Sequence, residues 1–230
     1  MTTVFLKREV ARRVFAKELV SSTYTIRDES EKSPLYVLTP LGLKCNRVFI
    51  IGVLTEKEER GEDGNIYRIR VIDQTGSFIG YVGKYQPEAY EALEDIDTLT
   101  LVALTAKVRV FEGETGKFVT LRPETISIAD PESRDYWVME TAVQTLERIR
   151  EMEKGESETA KLAMEVYNTN LEEYKRVVKE AVERVMEDYG EFDVEEEMLE
   201  EEEDEELELD EDEDLSFEEE EIDLTELLKD

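Results

Sequence analysis

The stretch that decides the fold runs from Arg47 to Ile128 and reads as RVFIIGVLTEKEE (47–59), IYRIRVID (66–73), SFIGYVGKY (77–85), PEAYEALEDI (87–96), TLTLVALTAKVRVFEGE (98–114) and FVTLRPETISIA (118–129). Five of these six segments are rich in β-branched and aromatic residues. Turn residues punctuate them at Gly61 to Asn65, Gln74 to Gly76 and Gly113 to Lys117, so the five read as strands. In the second, Tyr67, Ile69 and Val71 alternate with Arg68 and Arg70, the two-residue period of a strand with one face in a core and one face wet. The remaining segment opens on Pro87, which suits a first helical turn, and sets Ala89, Leu93 and Ile96 on one side. Gly80 and Gly83, unusual inside a strand, predict a sharp bend or a bulge there.

Five strands with one short helix between the third and the fourth is the order of an OB-fold, a small Greek-key barrel. The fold class is therefore mainly β plus α: a five-stranded OB-fold barrel with an N-terminal extension, C-terminal helices and an acidic tail. Four regions follow. Residues 1–44 give a short basic helix, with Leu6, Val10, Val14 and Leu19 near one stripe, and then extended segments that add to the barrel or wrap it. Residues 45–130 are the barrel and residues 131–190 are helices. In this third region Asp130 and Pro131 start a first helix, Gly155 breaks it, and Ser157 caps a second one running from Ala160 to Tyr189. Residues 191–230 are expected to be disordered, because a near-continuous run of acid repels itself and buries too little apolar surface to fold.

Charge is distributed very unevenly along the 230 residues. The formal total is −32, but residues 191–230 hold 25 acids against one lysine, a net of −24, which leaves −8 for residues 1–190. The low overall pI thus describes mostly the tail, and does not by itself exclude a nucleic-acid partner. With Cys45 as the single cysteine and no histidine, one chain can build no disulfide framework, no thiolate or imidazole zinc site and no histidine-based triad. No carboxylate set sits where metal-dependent hydrolysis would need it, so neither metal nor cofactor nor catalytic residue is expected. There is no apolar run of about 20 residues and no secretory leader, which predicts an intracellular protein with no membrane partner.

The strings REVARRVFAKELVSSTYTI, YVLTPLGLKCNRVFIIGVLTE and TGSFIGYVGKYQPEA carry a resemblance. Over residues 7–150 the chain resembles the archaeal replication protein A-associated family, whose members are similar to the middle subunit of replication protein A. The resemblance implies an OB-fold subunit of a single-stranded DNA-binding complex, at work in replication, repair and recombination in a cytoplasmic, nucleoid-associated setting. It also implies assembly with other subunits through a helix after the barrel, and the stripe Met139, Ala142, Val143, Leu146 and Ile149 lies where that helix is expected. Relatives of the middle subunit often end in a winged helix, a pattern that residues after 155 do not follow.

Single-stranded DNA is held by cations that follow its backbone and by aromatic rings that stack on its bases. The candidate contacts are Arg68, Arg70, Lys84, Tyr85, Lys107 and Arg109, with Arg122 at a strand edge. Phe78, Tyr81 and Phe111 are placed in a core or an interface, since β-propensity alone accounts for them. The segment from Cys45 to Asp130 holds 15 acids against 10 bases, so strong affinity is assigned to a complex rather than to this barrel alone. In the tail, Phe217, Ile222, Leu224, Leu227 and Leu228 interrupt the acids and read as a docking tip for replication or repair proteins. The competing function is that of an adaptor which recruits such factors through the tail without touching DNA itself.

Overall fold

The computed structural model describes residues 9–27, 34–61, 65–113 and 116–190. In chain order the elements are α1 (Ala16–Val20), β1 (Tyr24–Arg27), β2 (Leu35–Leu38), β3 (Lys44–Cys45), β4 (Arg47–Arg60), β5 (Ile66–Asp73), β6 (Gly76–Gly83), α2 (Pro87–Glu94), β7 (Thr100–Gly113), β8 (Gly116–Ile128), α3 (Pro131–Lys154), α4 (Glu158–Tyr167) and α5 (Leu171–Gly190). The packing described below lies within one compact unit that ends at Val182.

Alternation decides which side chains point inward. On β5, Tyr67, Ile69 and Val71 are buried as their period predicts, as are Val48, Ile50, Phe78, Val82, Val102 and Leu104 on other strands of the ring. The five long strands close on themselves in the order β4-β5-β6-β8-β7, with antiparallel pairing everywhere except between β6 and β8. Those two strands meet in parallel at Gly80↔Leu121. A Cβ on Gly80 would stand 3.0 Å from Ile69 Cγ1 and 3.4 Å from Pro123 Cγ, so the glycine is what lets the last strand approach.

The bend expected at Gly80 and Gly83 is not a bulge. Pairing of β5 with β6 runs unbroken from Ile66↔Gly83 to Asp73↔Gly76, and the register shifts lie instead at Leu54/Glu56 and Thr105/Ala106. The first leaves Thr55 as an extra residue in β4 and the second leaves Glu124 as an extra residue in β8, both long strands that must curve to close the ring. One end of the barrel is covered by α2, whose Ala89 and Leu93 are buried together with Ile96 just beyond it. From β4 the Lys57 ammonium donates to the carbonyls of Leu93 (2.7 Å) and Ile96 (2.8 Å), a cation placed on the negative end of the helix.

Of the basic helix expected near the N-terminus, only Ala16–Val20 is helical among the described residues, residues 9–15 are not, and Leu6 lies outside them. Arg12 forms a parallel bridge to Val48: its amide donates to Arg47 O and its carbonyl accepts from Phe49 N, both at 2.9 Å. The reason lies on β4, where pairing with β5 begins only at Val53, so the first half of the strand leaves an edge that the N-terminal segment satisfies. Asp73 then anchors the start of α1, its carboxylate accepting from Ala16 N (2.7 Å), Thr75 N (2.7 Å) and Gly76 N (2.9 Å). The short strands β1, β2 and β3 form a separate three-stranded sheet in that order.

At the other end, α3 starts as expected with the Asp130 carboxylate capping Ser133 N (2.7 Å), and stops at Gly155 in the left-handed region with φ 60°. It lies against β4 through Trp137, whose indole donates to Phe49 O (2.9 Å) and meets Phe15 edge-on. The second helix expected from the sequence is two. Asn168 takes φ 45°, which ends α4, and Asn170 Oδ1 accepts from Glu173 N (3.4 Å) at the start of α5. Asparagine tolerates both roles, and the apolar period across the break hides it from a pattern reading. No helix among the described residues is long and apolar enough to cross a membrane.

Candidate nucleic-acid interface

Because β6 and β8 touch only near Gly80, they diverge towards the end of β6, while the β7–β8 hairpin continues to Gly113 and Gly116. The divergence opens a groove of about 820 Å³. Tyr81, Lys84 and Tyr85 line it from β6 and the turn after it, and Arg109, Phe111 and Arg122 from the hairpin. Tyr85 is 96% exposed, a ring held almost wholly in solvent. Phe111 lies opposite Phe118 in the register; the two rings stack with centroids 5.9 Å apart and both are exposed. Exposed rings of this size, beside a groove, are the kind of surface that marks a binding site.

Among the described residues, charge in the groove is positive. Lys84, Arg109 and Arg122 form no ion pair among the described residues, and Arg122 Nε is buried with no hydrogen-bond partner. Elsewhere on the barrel the opposite holds. Glu56 and Glu58 of β4 lie directly across from Arg70 and Arg68 of β5. Arg68 contacts Glu56 at 2.7 Å and Glu58 at 3.7 Å, and Arg70 contacts Glu56 at 2.8 Å. The hydrogen bond from Arg68, then that from Arg70, holds the Glu56 carboxyl below its ordinary range. Two of the cations singled out in the sequence are thus matched within the sheet.

The structure therefore brings Lys84, Tyr85 and Arg109 together, pairs Arg68 and Arg70 of β5 with Glu56, with Arg68 across the ladder from the groove-lining Tyr81, and leaves Lys107 on the β7 face just outside the groove. Tyr81 and Phe111, expected in a core or an interface, line the groove instead, while Phe78 is in the core. Phe118 was not foreseen. Its signal is its place relative to Phe111, each a few residues from the Gly113–Gly116 turn, which makes the two cross-strand partners once the hairpin is recognised.

The stripe on α3 divides by burial. Ala142 and Ile149 are buried in the chain's own core, Leu146 packs against that core, Met139 is half-buried and Val143 is exposed. Phe217, Ile222, Leu224, Leu227 and Leu228 lie outside the described residues, as does the whole acidic tail. No three acids, cysteines or histidines among the described residues are placed to hold a metal ion.

No protein-family model and no curated protein matches the chain. Among solved structures it is similar to a chain from a replication protein A heterotrimer bound to single-stranded DNA, at 11% identity over 61% of this chain and 98% of that one, with a TM-score of 0.43. It is also similar to a chain of the Stn1–Ten1 complex of S. pombe, at 11% identity over 65% of this chain and 100% of that one, with a TM-score of 0.49. A third is the mitochondrial single-stranded DNA-binding protein Rim1 of S. cerevisiae, at 18% identity over 37% and 94%, with a TM-score of 0.30. The fold assignment rests on the strand order and closure of this chain itself.

Proposed function

We propose that this chain is a non-catalytic subunit of a replication protein A-like complex and that its barrel holds single-stranded DNA in the groove beside the β7–β8 hairpin. The observation that carries the reading is the meeting of three cations that form no ion pair among the described residues, Lys84, Arg109 and Arg122, with the exposed rings of Tyr81, Tyr85 and Phe111. A single strand offers what such a surface takes, phosphates for the cations and free base faces for the rings, whereas a duplex hides its base faces. The strand order agrees, since OB-folds bind oligonucleotides on this side of the barrel. The resemblance in the sequence adds the setting, exposed single strands during replication, repair and recombination.

Stacking of one base contributes on the order of 1–3 kcal/mol. Tyr85→Ala is accordingly expected to weaken binding of a labelled oligodeoxythymidine by about tenfold, and Arg109→Ala to lower the slope of log affinity against log salt by about 0.7. Anisotropy titrations with the chain alone and with its co-purified subunits measure both. Unchanged affinity in both variants would remove the groove from the account.

Assembly is assigned to the outward side of α3, where Tyr136 and Val143 are exposed and Met139 is half-buried at helical spacing. Replication or repair proteins are assigned to the tail, whose apolar residues between 217 and 228 a purely solvating tract would not need. Deleting residues 191–230 should then abolish capture of such factors and spare strand binding. The adaptor reading draws on the net −5 of residues 45–130 and on the self-neutralised β4–β5 face. It requires that no oligonucleotide binds, alone or in the assembly.

A further inference from the structure

One face of the β7–β8 hairpin continues past the groove in a regular order, exposed at Phe111, Arg109, Lys107 and Phe118 and buried at Thr120. From the tip inward β7 presents Phe111, Arg109 and Lys107, and the register sets Phe118, Thr120 and Arg122 opposite them on β8. On its other side Lys107 pairs with Arg47 of β4. Arg122, Lys107 and Arg47 therefore form a row across three adjacent strands, and strand spacing makes it about 10 Å long. Two positions along β4, the Phe49 ring carries the Arg13 guanidinium at 5.6 Å, and the N-terminal segment runs beside it through the Arg12 bridge. The row thus leads away from the groove towards further positive charge.

Among the described residues one carboxylate pairs with this row. Glu124 bonds Arg47 Nε at 2.5 Å and stands 3.9 Å from the Lys107 ammonium, which is 45% exposed and makes no closer ion pair. One acid against three cations leaves the row positive. The β4–β5 face is the contrast, since Glu56 and Glu58 there match Arg68 and Arg70 one for one.

We propose that a single DNA strand longer than the groove leaves it across β8, β7 and β4, with its phosphates on Arg122, Lys107 and Arg47, and that Glu124 competes with those phosphates. The proposal rests on the groove reading and adds to it a direction, an exit track and a resident competitor. Phosphates crossing the row displace Glu124 from Arg47 and Lys107, so a longer strand gains affinity there while a strand confined to the groove does not.

The test compares labelled oligodeoxythymidines of about four and about twelve nucleotides on the full-length protein, across a range of salt. Lys107→Ala is expected to leave the short strand's affinity unchanged, to weaken the longer one about twofold to fivefold, and to lower its salt slope by about 0.7. Glu124→Gln is expected to act in the other direction, tightening the longer strand about twofold to fivefold and sparing the short one. If the ratio of long to short affinity is the same in both variants as in the native chain, the track is wrong while the groove stands. If neither oligonucleotide binds the native chain, the groove reading fails and the track falls with it.

Discussion

Glu18→Met is expected to destabilise the protein by about 3–5 kcal/mol, because it leaves the Arg148 guanidinium buried without its counter-charge. Glu18, on α1, is 1% exposed, and its Oε2 accepts from Arg148 Nη2 on α3 at 2.8 Å. Arg148 is 8% exposed and also donates to Thr145 Oγ1 at 2.9 Å. The pair is incompletely satisfied, since Glu18 Oε1 and Arg148 Nε both lack a hydrogen-bond partner. A buried pair of this kind gains little over apolar residues of the same volume, so Glu18→Met/Arg148→Met should recover most of the loss. Urea unfolding of the single and double variants measures the difference. A single variant within about 1 kcal/mol of native, or a double variant no better than the single, would contradict it.

Cys45 offers a second readout beside this pair. Burial, with the Glu18 carboxylate as the next cause and the Arg148 and Arg12 charges opposing, pushes its thiol up to about 12. The native thiol is therefore protonated and covered at neutral pH, and reacts with a disulfide reagent only when the layer opens. Labelling should be faster in Glu18→Met and return towards the native rate in the double variant.

What the sequence made legible was what local periodicity controls. The alternation of Tyr67, Ile69 and Val71 set the faces of β5, Pro87 set the start of α2, and Asp130, Gly155 and Ser157 set the helix ends. The N-terminal segment defeated that reading, because Arg12 is drawn into extended form by an unpaired edge of β4 that lies 36 positions further along the chain. Helical spacing of Val10 and Val14 is a weak preference beside two backbone hydrogen bonds on an open strand.

The site was half legible for a related reason. Residue type pointed to Lys84, Tyr85 and Arg109, which line one groove, but it could not separate Arg109 from Arg68, both cations on wet strand faces. The difference is the partner across the ladder, acid for Arg68 at Glu58 and a neutral hydroxyl for Arg109 at Thr120. That information exists only once register is fixed, and register here depends on two bulges that shift the count within β4 and β8.

The same limit governs the assembly stripe and leads to a pair of variants with opposite outcomes. Ile149 is 1% exposed and packs in a cluster with Leu38, Leu41, Met152, Ala160, Ala163 and Tyr174, so α3 uses it to hold β2, α4 and α5. Ile149→Asp removes a buried side chain and inserts an unpaired carboxylate, a loss of about 4 kcal/mol or more against a typical total of about 5–15. The chain is expected to lose its helical layer, with a fall in helical circular dichroism, whether or not partners are present. Val143, 42% exposed one and a half turns before it, faces the other way beside Tyr136 at 63%. Val143→Asp should change stability by no more than about 0.5 kcal/mol, yet a charge in a packed contact with another subunit weakens assembly by about tenfold or more. Sedimentation of the reconstituted complex separates the two. Assembly that survives Val143→Asp in a folded chain would move the subunit contact off this side of α3, and an Ile149→Asp chain that keeps its native stability would overturn the packing of the helices on the sheet.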